Sequence, residues 1–191
     1  MDRRTFLKQA GATASIGVAG IAGCAGRGAA TGILATRVSD QPGDIDDFQT
    51  LNVTIEAVWV KPVDGERRRR EFDEPSTADL TELTGEASAL VGELELETGD
   101  YEFLQLDIAG TDATLTDGAS VQVTVPGEAP LTFNVGYEIR SGQQTTFTAD
   151  FTPVKRGAAG GYILQPVPQE IVVTYEDGTT VTGTNSTSTS A

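Results

Sequence analysis

Apolar and polar residues alternate along most of this chain. In Leu51-Val53-Ile55-Ala57-Trp59 the odd positions are apolar, with Asn52, Thr54 and Glu56 between them, so the period of two predicts a strand with one buried and one wet face. Val121-Val123-Val125, Leu131-Phe133-Val135, Phe147-Ala149-Phe151 and Ile171-Val173-Tyr175 repeat the pattern, and Leu104, Leu106 and Ile108 carry it on even positions. Turn dipeptides punctuate these runs: Asp64-Gly65, Gly99-Asp100, Asp117-Gly118, Pro126-Gly127, Ser141-Gly142 and Asp177-Gly178. Only Ser76 to Gly92 has room for a short helix. The pattern predicts an all-β fold, an antiparallel β-sandwich.

The first two dozen residues break the pattern. Arg3-Arg4-Thr5-Phe6-Leu7-Lys8 precedes an Ala/Gly-rich stretch that ends Ile21-Ala22-Gly23-Cys24. From Gly11 to Gly23 the stretch is too short for a bilayer span, which needs roughly 20 mainly apolar residues. It resembles a twin-arginine signal peptide closed by a lipoprotein box, with Arg3 and Arg4 as the arginine pair and Cys24 as the lipidation site; Asp2 stands where that motif usually has Ser or Thr. Residues 1–23 then read as a removable signal, 24–31 as a lipidated tether, 32–178 as the β-sandwich domain and 179–191 as a flexible Thr/Ser-rich tail. The expected location is the outer face of the cell membrane.

Charge sharpens this picture. The whole chain carries a formal net charge of -15, and removing residues 1–23 takes away Asp2, Arg3, Arg4 and Lys8, leaving 27 acidic and 10 basic side chains and a charge of -17. At physiological ionic strength such a surface repels itself, whereas at molar salt the Debye length falls to about 3 Å. The composition points to an extreme halophile, an archaeon. Disorder is excluded because hydrophobic residues still make up 38% of the chain and occur in ordered alternation. Nucleic acid is excluded as a partner by the sign of the charge.

Catalytic chemistry is sparse. The chain has no histidine and its single cysteine is the lipidation candidate, which removes Ser-His-Asp, Cys-His and histidine-rich zinc arrangements. A pair of carboxylates remains open to a hydrolase, although 27 acids produce such pairs by composition alone. The expectation is a non-catalytic module without a resident cofactor.

Two clusters stand out. Asp40, Asp44, Asp46 and Asp47, interrupted by Pro42-Gly43, form either a hydrated loop or an oxygen-ligand site for calcium. Arg67-Arg68-Arg69-Arg70 follows Asp64-Gly65 and begins a return strand, neutralised by Glu66, Glu71, Asp73 and Glu74 or turned toward an acidic neighbour. Asn52-Val53-Thr54 and Asn185-Ser186-Thr187 are glycosylation sequons, at Asn52 and Asn185.

Several segments together resemble domain-of-unknown-function family 4382. They are Gly32-Ile33-Leu34-Ala35 through Ser39-Asp40-Gln41-Pro42-Gly43-Asp44-Ile45-Asp46-Asp47-Phe48, the strand from Asn52 to Val60, Asp79-Leu80-Thr81-Glu82-Leu83, Leu96-Glu97-Thr98-Gly99-Asp100-Tyr101-Glu102-Phe103, and Gly161-Tyr162-Ile163-Leu164-Gln165-Pro166. The resemblance covers residues 32–175 and implies a surface-located β domain with no catalytic residues to carry over. Gly99-x-Tyr101 is also similar to a strand start in transthyretin-like sandwiches, which implies a prealbumin-like architecture. The function that emerges is a lipid-anchored cell-surface module that binds an envelope protein or glycan or serves envelope structure. A calcium-dependent adhesion or ligand-binding domain is the alternative, and a carboxylate hydrolase a third.

Overall fold

The computed structural model describes residues 29–40, 43–126, 130–157, 160–167 and 171–183. Twelve strands run in order among them: β1 Thr31–Asp40, β2 Phe48–Pro62, β3 Arg68–Asp79, β4 Ala89–Glu97, β5 Gly99–Leu115, β6 Val123–Thr124, β7 Leu131–Phe133, β8 Tyr137–Ile139, β9 Gln144–Lys155, β10 Tyr162–Pro166, β11 Ile171–Tyr175 and β12 Thr180–Gly183. Two short 3-10 turns, Asp44–Asp47 and Leu80–Glu82, interrupt the strands. The strands form two packed sheets, and the all-β sandwich expected from the alternation is present.

The first sheet has the order β12-β11-β9-β1-β4, with β10 on β9 and β6 on β10. The second has the order β3-β2-β5-β7, with β8 also on β5. Pairing is antiparallel except at two places, where β1 lies parallel to β9 and β10 parallel to β6. The parallel pair needs a long crossover and therefore leaves no hairpin signal in the sequence.

Leu34, Val38, Phe147, Ala149, Phe151, Ile171 and Val173 of the first sheet meet Leu51, Val53, Ile55, Val58, Leu104, Leu106 and Phe133 of the second, all essentially without solvent contact. Each of the larger ones, the Val, Leu, Ile and Phe side chains, contributes roughly 1.5–3 kcal/mol on burial. Phe133 sits edge-on to both Phe147 and Phe151, with ring centroids 6.2 and 5.7 Å apart. Edge-to-face geometry of this kind adds to the area term and fixes the spacing of the sheets.

Three expectations are corrected. Trp59 does not face the core: the ladder of β2 is bulged between Ile55 and Ala57, so Ala57 and Val58 are buried in succession and the parity inverts. Val58 and Val60 then point inward, and Trp59 turns to the outer face, half-buried. A bulge inserts one unpaired residue and re-aims the side chains beyond it. Second, Ser76 to Gly92 holds no α-helix; β3 continues to Asp79, the single 3-10 turn comes next, and β4 begins at Ala89. The turn is fixed by Asp79, whose Oδ1 accepts from the Leu51 and Thr81 backbone N–H groups and from the Thr81 hydroxyl at 2.7–3.1 Å. Third, the segment from residue 179 is not all tail: Thr180–Gly183 pairs antiparallel with β11, and a side chain at Gly183 would collide with Val135.

The two sheets close on each other along the edges β3 and β4. There the Phe72 ring lies against Gly92, where even a methyl group would overlap it. At Asp177-Gly178 the turn forms as expected, with Gly178 at φ 83, a left-handed conformation that glycine adopts without strain.

Candidate functional site

The four-arginine run is split by the strand it begins. Successive residues of β3 point to opposite sides. Arg69 lies on the outer face of the second sheet, where its Nε donates to Asp107 Oδ2 at 2.7 Å and its Nη2 to Glu56 Oε1 at 2.6 Å, with Glu71 as a third partner. These carboxylates hold the guanidinium pKa above its ordinary value, Asp107 first among them. Arg67, just before the strand, stacks on Trp59 with its guanidinium carbon 4.0 Å from the ring centroid. Neutralisation of Arg69 thus comes mainly from across the sheet, through Glu56 on β2 and Asp107 on β5, and only Glu71 belongs to the local acids.

Arg68 and Arg70 point the other way, into a hollow of about 300 Å³ at one end of the β3–β4 seam. Thr31, Val60, Leu96 and Tyr101 line it as well. Arg70 Nη2 donates to the Glu95 carbonyl at 3.2 Å, and the Thr31 hydroxyl donates to Glu95 Oε1 at 2.5 Å. Tyr101 forms the floor, stacked on Tyr137 at 5.2 Å, and burial raises its pKa. The hollow is walled by two cations and two carboxylate-bearing residues, Glu95 and Glu97, so it is electrically mixed.

The acidic cluster resolves into three situations. Asp40 ends β1 fully buried; its backbone N–H donates to the Leu83 carbonyl at 3.1 Å, and neither carboxylate oxygen has a hydrogen-bond partner. Burial, with the charges of Asp150 and Asp46 added, pushes its pKa up to about 7. Asp44 and Asp47 are instead tied to the end of β9. The Lys155 backbone N–H donates to Asp44 Oδ2 at 2.6 Å; Asp47 Oδ2 accepts from the Tyr162 hydroxyl at 2.5 Å and from Lys155 Nζ at 3.0 Å. The Tyr162 bond, then Lys155, hold the Asp47 carboxyl below its usual range. Asp46 stays on the turn between them. The four aspartates do not converge: among the described residues no group of three or more His, Cys, Asp or Glu is placed to hold a metal ion. The acidic turn is a clasp between β9, β10 and the start of β2, completed by Phe48 packing edge-on to Tyr162 at 4.6 Å.

Asn52 lies half-buried on the central strand β2, opposite Asp79 on β3 and Asp112 on β5. Cys24, Arg3, Arg4 and Asn185 lie outside the described residues. Sequence reasoning missed the outward Trp59 and its companion Gln105, which is buried on the outer side of β5. Their signal was present in part, as a lone tryptophan and a glutamine between apolar residues of a strand, but their pairing and the bulge that turns the ring outward are not written in the residue types.

These features define a β-sandwich domain with its charged chemistry on sheet faces and edges. The family model described as Domain of unknown function (DUF4382) matches residues 31–166, and the chain belongs to that family. The match ends before β11, although Ile171 and Val173 complete the core of the first sheet. No curated protein and no solved structure matches the chain.

Proposed function

We propose that this chain is an exported lipoprotein whose sandwich works at the outer face of the cell membrane as a non-catalytic module, binding an envelope component or bracing the envelope itself. The observation that carries the reading is the run Arg3-Arg4-Thr5-Phe6-Leu7-Lys8 followed by Ile21-Ala22-Gly23-Cys24, closing on the only cysteine of the chain. Six residues separate Cys24 from Thr31, the first residue of β1, and the seven steps between them span at most about 25 Å. The lipid therefore holds the domain close to the bilayer, with the start of β1 and the hollow beside Arg68 and Arg70 on the membrane side. The charge of -17 left after signal removal supports residence in molar salt, where its self-repulsion is screened.

Fractionation of the native host tests this. Cys24→Ser should release the protein into the medium or leave an uncleaved precursor, and Arg3→Lys with Arg4→Lys should strand folded protein in the cytoplasm. A Cys24→Ser protein that still partitions into detergent would remove lipid from the account. A high-salt pull-down from intact envelopes, with the domain as bait, identifies what it binds.

A calcium-dependent domain is the second reading, and it rests on the spacing of the acidic run in the sequence, since Asp44, Asp46 and Asp47 share one turn but do not converge. A carboxylate hydrolase has less support. The raised pKa of Asp40 is that of a general acid, yet the side chain is sealed beneath the turn and cannot touch a substrate in this arrangement.

A further inference from the structure

The outer face of the second sheet carries an arrangement that the clasp and the seam do not explain. Arg69, Trp59, Gln105 and Thr132 occupy facing positions on β3, β2, β5 and β7 and so form one row across the sheet. Within that row the Trp59 indole N–H, a donor, and the Gln105 Oε1, an acceptor, are both shut off from solvent and without a partner. The Gln105 amide is oriented by its other end, where Nε2 donates to the Thr132 hydroxyl at 2.7 Å. An orphan donor and an orphan acceptor on neighbouring strands are each costly to leave unpaired. A single hydroxyl group set between them would satisfy both, because it accepts and donates at once.

The rest of the row fits the same ligand. The bulge in β2 is what turns the only tryptophan of the chain outward, and bulges recur where a side chain is re-aimed at a functional site. The Trp59 ring is covered by Arg67, which lies in the coil before β3 and takes part in none of the ion pairs among the described residues. A lone cation–π contact of this kind is weak. Arg67 is thus a displaceable cover.

We infer that the Trp59 row is a saccharide-binding face, in which a sugar ring replaces Arg67 on the indole and one of its hydroxyls bridges Trp59 Nε1 and Gln105 Oε1. The inference deepens the surface-module reading and rests on it for its biological setting. A neutral sugar fits better than an acidic one, since Glu56, Glu71 and Asp107 surround Arg69 beside the row. Stacking and neutral hydrogen bonds also survive in molar salt, where ion pairing is blunted.

Trp59 is its own reporter. The purified full chain, in molar potassium chloride, is titrated with maltotriose, cellotriose, mannotriose and triacetylchitotriose while its emission is followed. At least one should give a saturable shift. Gln105→Ala should weaken that binding about tenfold with an unchanged melting temperature, and Arg67→Ala, which removes the competing cover, should tighten it severalfold. No saturable shift with any of the four sugars overturns the inference, as does Gln105→Ala binding at wild-type strength or Arg67→Ala binding more weakly. Failure here and failure of the module reading are separable. An envelope pull-down that succeeds without saccharide binding leaves the module and removes the sugar face, while sugar binding by a chain found in the cytoplasm does the reverse.

Discussion

Asp40→Asn should stabilise the protein above neutral pH and abolish a slope in its stability curve. Asp40 is inaccessible, both its oxygens lack partners, and its pKa is raised from 3.8 to about 7 by burial first and by Asp150 and Asp46 next. An acid whose folded pKa is raised binds more protons in the native than in the unfolded state between those two values. Stability therefore falls as pH rises from about 4 through about 7, and is lowest above that. A shift of this size corresponds to a ceiling of about 4 kcal/mol, at about 1.4 kcal/mol per unit. Relaxation and water entry into the buried site reduce it, so roughly 2–3 kcal/mol is the expected loss. For a chain of this length that is about 4–12 °C in melting temperature.

The assay is thermal or urea unfolding from pH 4.5 to about 9 at one fixed molar salt concentration with chelator present. The wild type should lose stability across the range and level off near its upper end. Asp40→Asn should be flat, close to the wild type at the acid end and more stable than it at the alkaline end. The asparagine amide is itself left unpaired, which limits its gain at low pH. Asp150→Asn should move the wild-type slope to lower pH by removing one of the charges that raise Asp40. The depressed carboxyls of Asp47 and Asp177 act the other way, losing their contribution only as pH falls below about 4, outside the window. Parallel curves for wild type and Asp40→Asn, or a variant less stable at the alkaline end, would refute the reasoning.

Other outcomes rest on the same geometry. Dialysis from molar to roughly 0.1 M monovalent salt should lower the melting temperature markedly, because screening then reaches only to about 10 Å; an unmoved melting temperature would sink the halophilic reading. Arg69→Met should destabilise the domain more at low than at high salt, since it leaves Glu56, Glu71 and Asp107 facing one another, and a salt-independent effect would mean that the network does not neutralise them. Gly92→Val should cost about 1–3 kcal/mol by driving into the Phe72 ring, read by urea unfolding. Saturating calcium at fixed high salt should raise the melting temperature more than magnesium does if the acidic turn binds it, and that difference should vanish in Asp44→Asn with Asp46→Asn; equal shifts from the two ions would leave the turn as a clasp alone.

Much of the sandwich was legible because its central strands each bury one face. Leu51, Val53 and Ile55 in β2, or Phe147, Ala149 and Phe151 in β9, announce a period of two that no helix shares. The edge strands were harder. Glu93-Leu94-Glu95-Leu96-Glu97 in β4 alternates cleanly, but it comes after a stretch of Ala, Ser and Leu that reads equally well as a helix turn. The parallel pairing of β1 with β9 joins segments over a hundred residues apart, and local pattern carries no record of it.

The candidate sites show the same division between local and long-range information. That Asp40, Asp44, Asp46 and Asp47 belong together was visible in their spacing, whereas their separation into one buried acid and a clasp depends on Lys155 and Tyr162, supplied from far along the chain. The arginine run is the converse case. Its alternation is a consequence of β geometry alone, so the sending of Arg69 to one face and Arg68 and Arg70 to the other was implicit once β3 was placed. What was not implicit is the partner set on each side, because that requires the bulge in β2. Had β2 kept its parity beyond Ile55, Trp59 would lie in the core and Val58 and Val60 would lie outside, and the row facing Gln105 would carry no donor. One inserted residue in one ladder thus determines whether the outer sheet face is inert or equipped to bind.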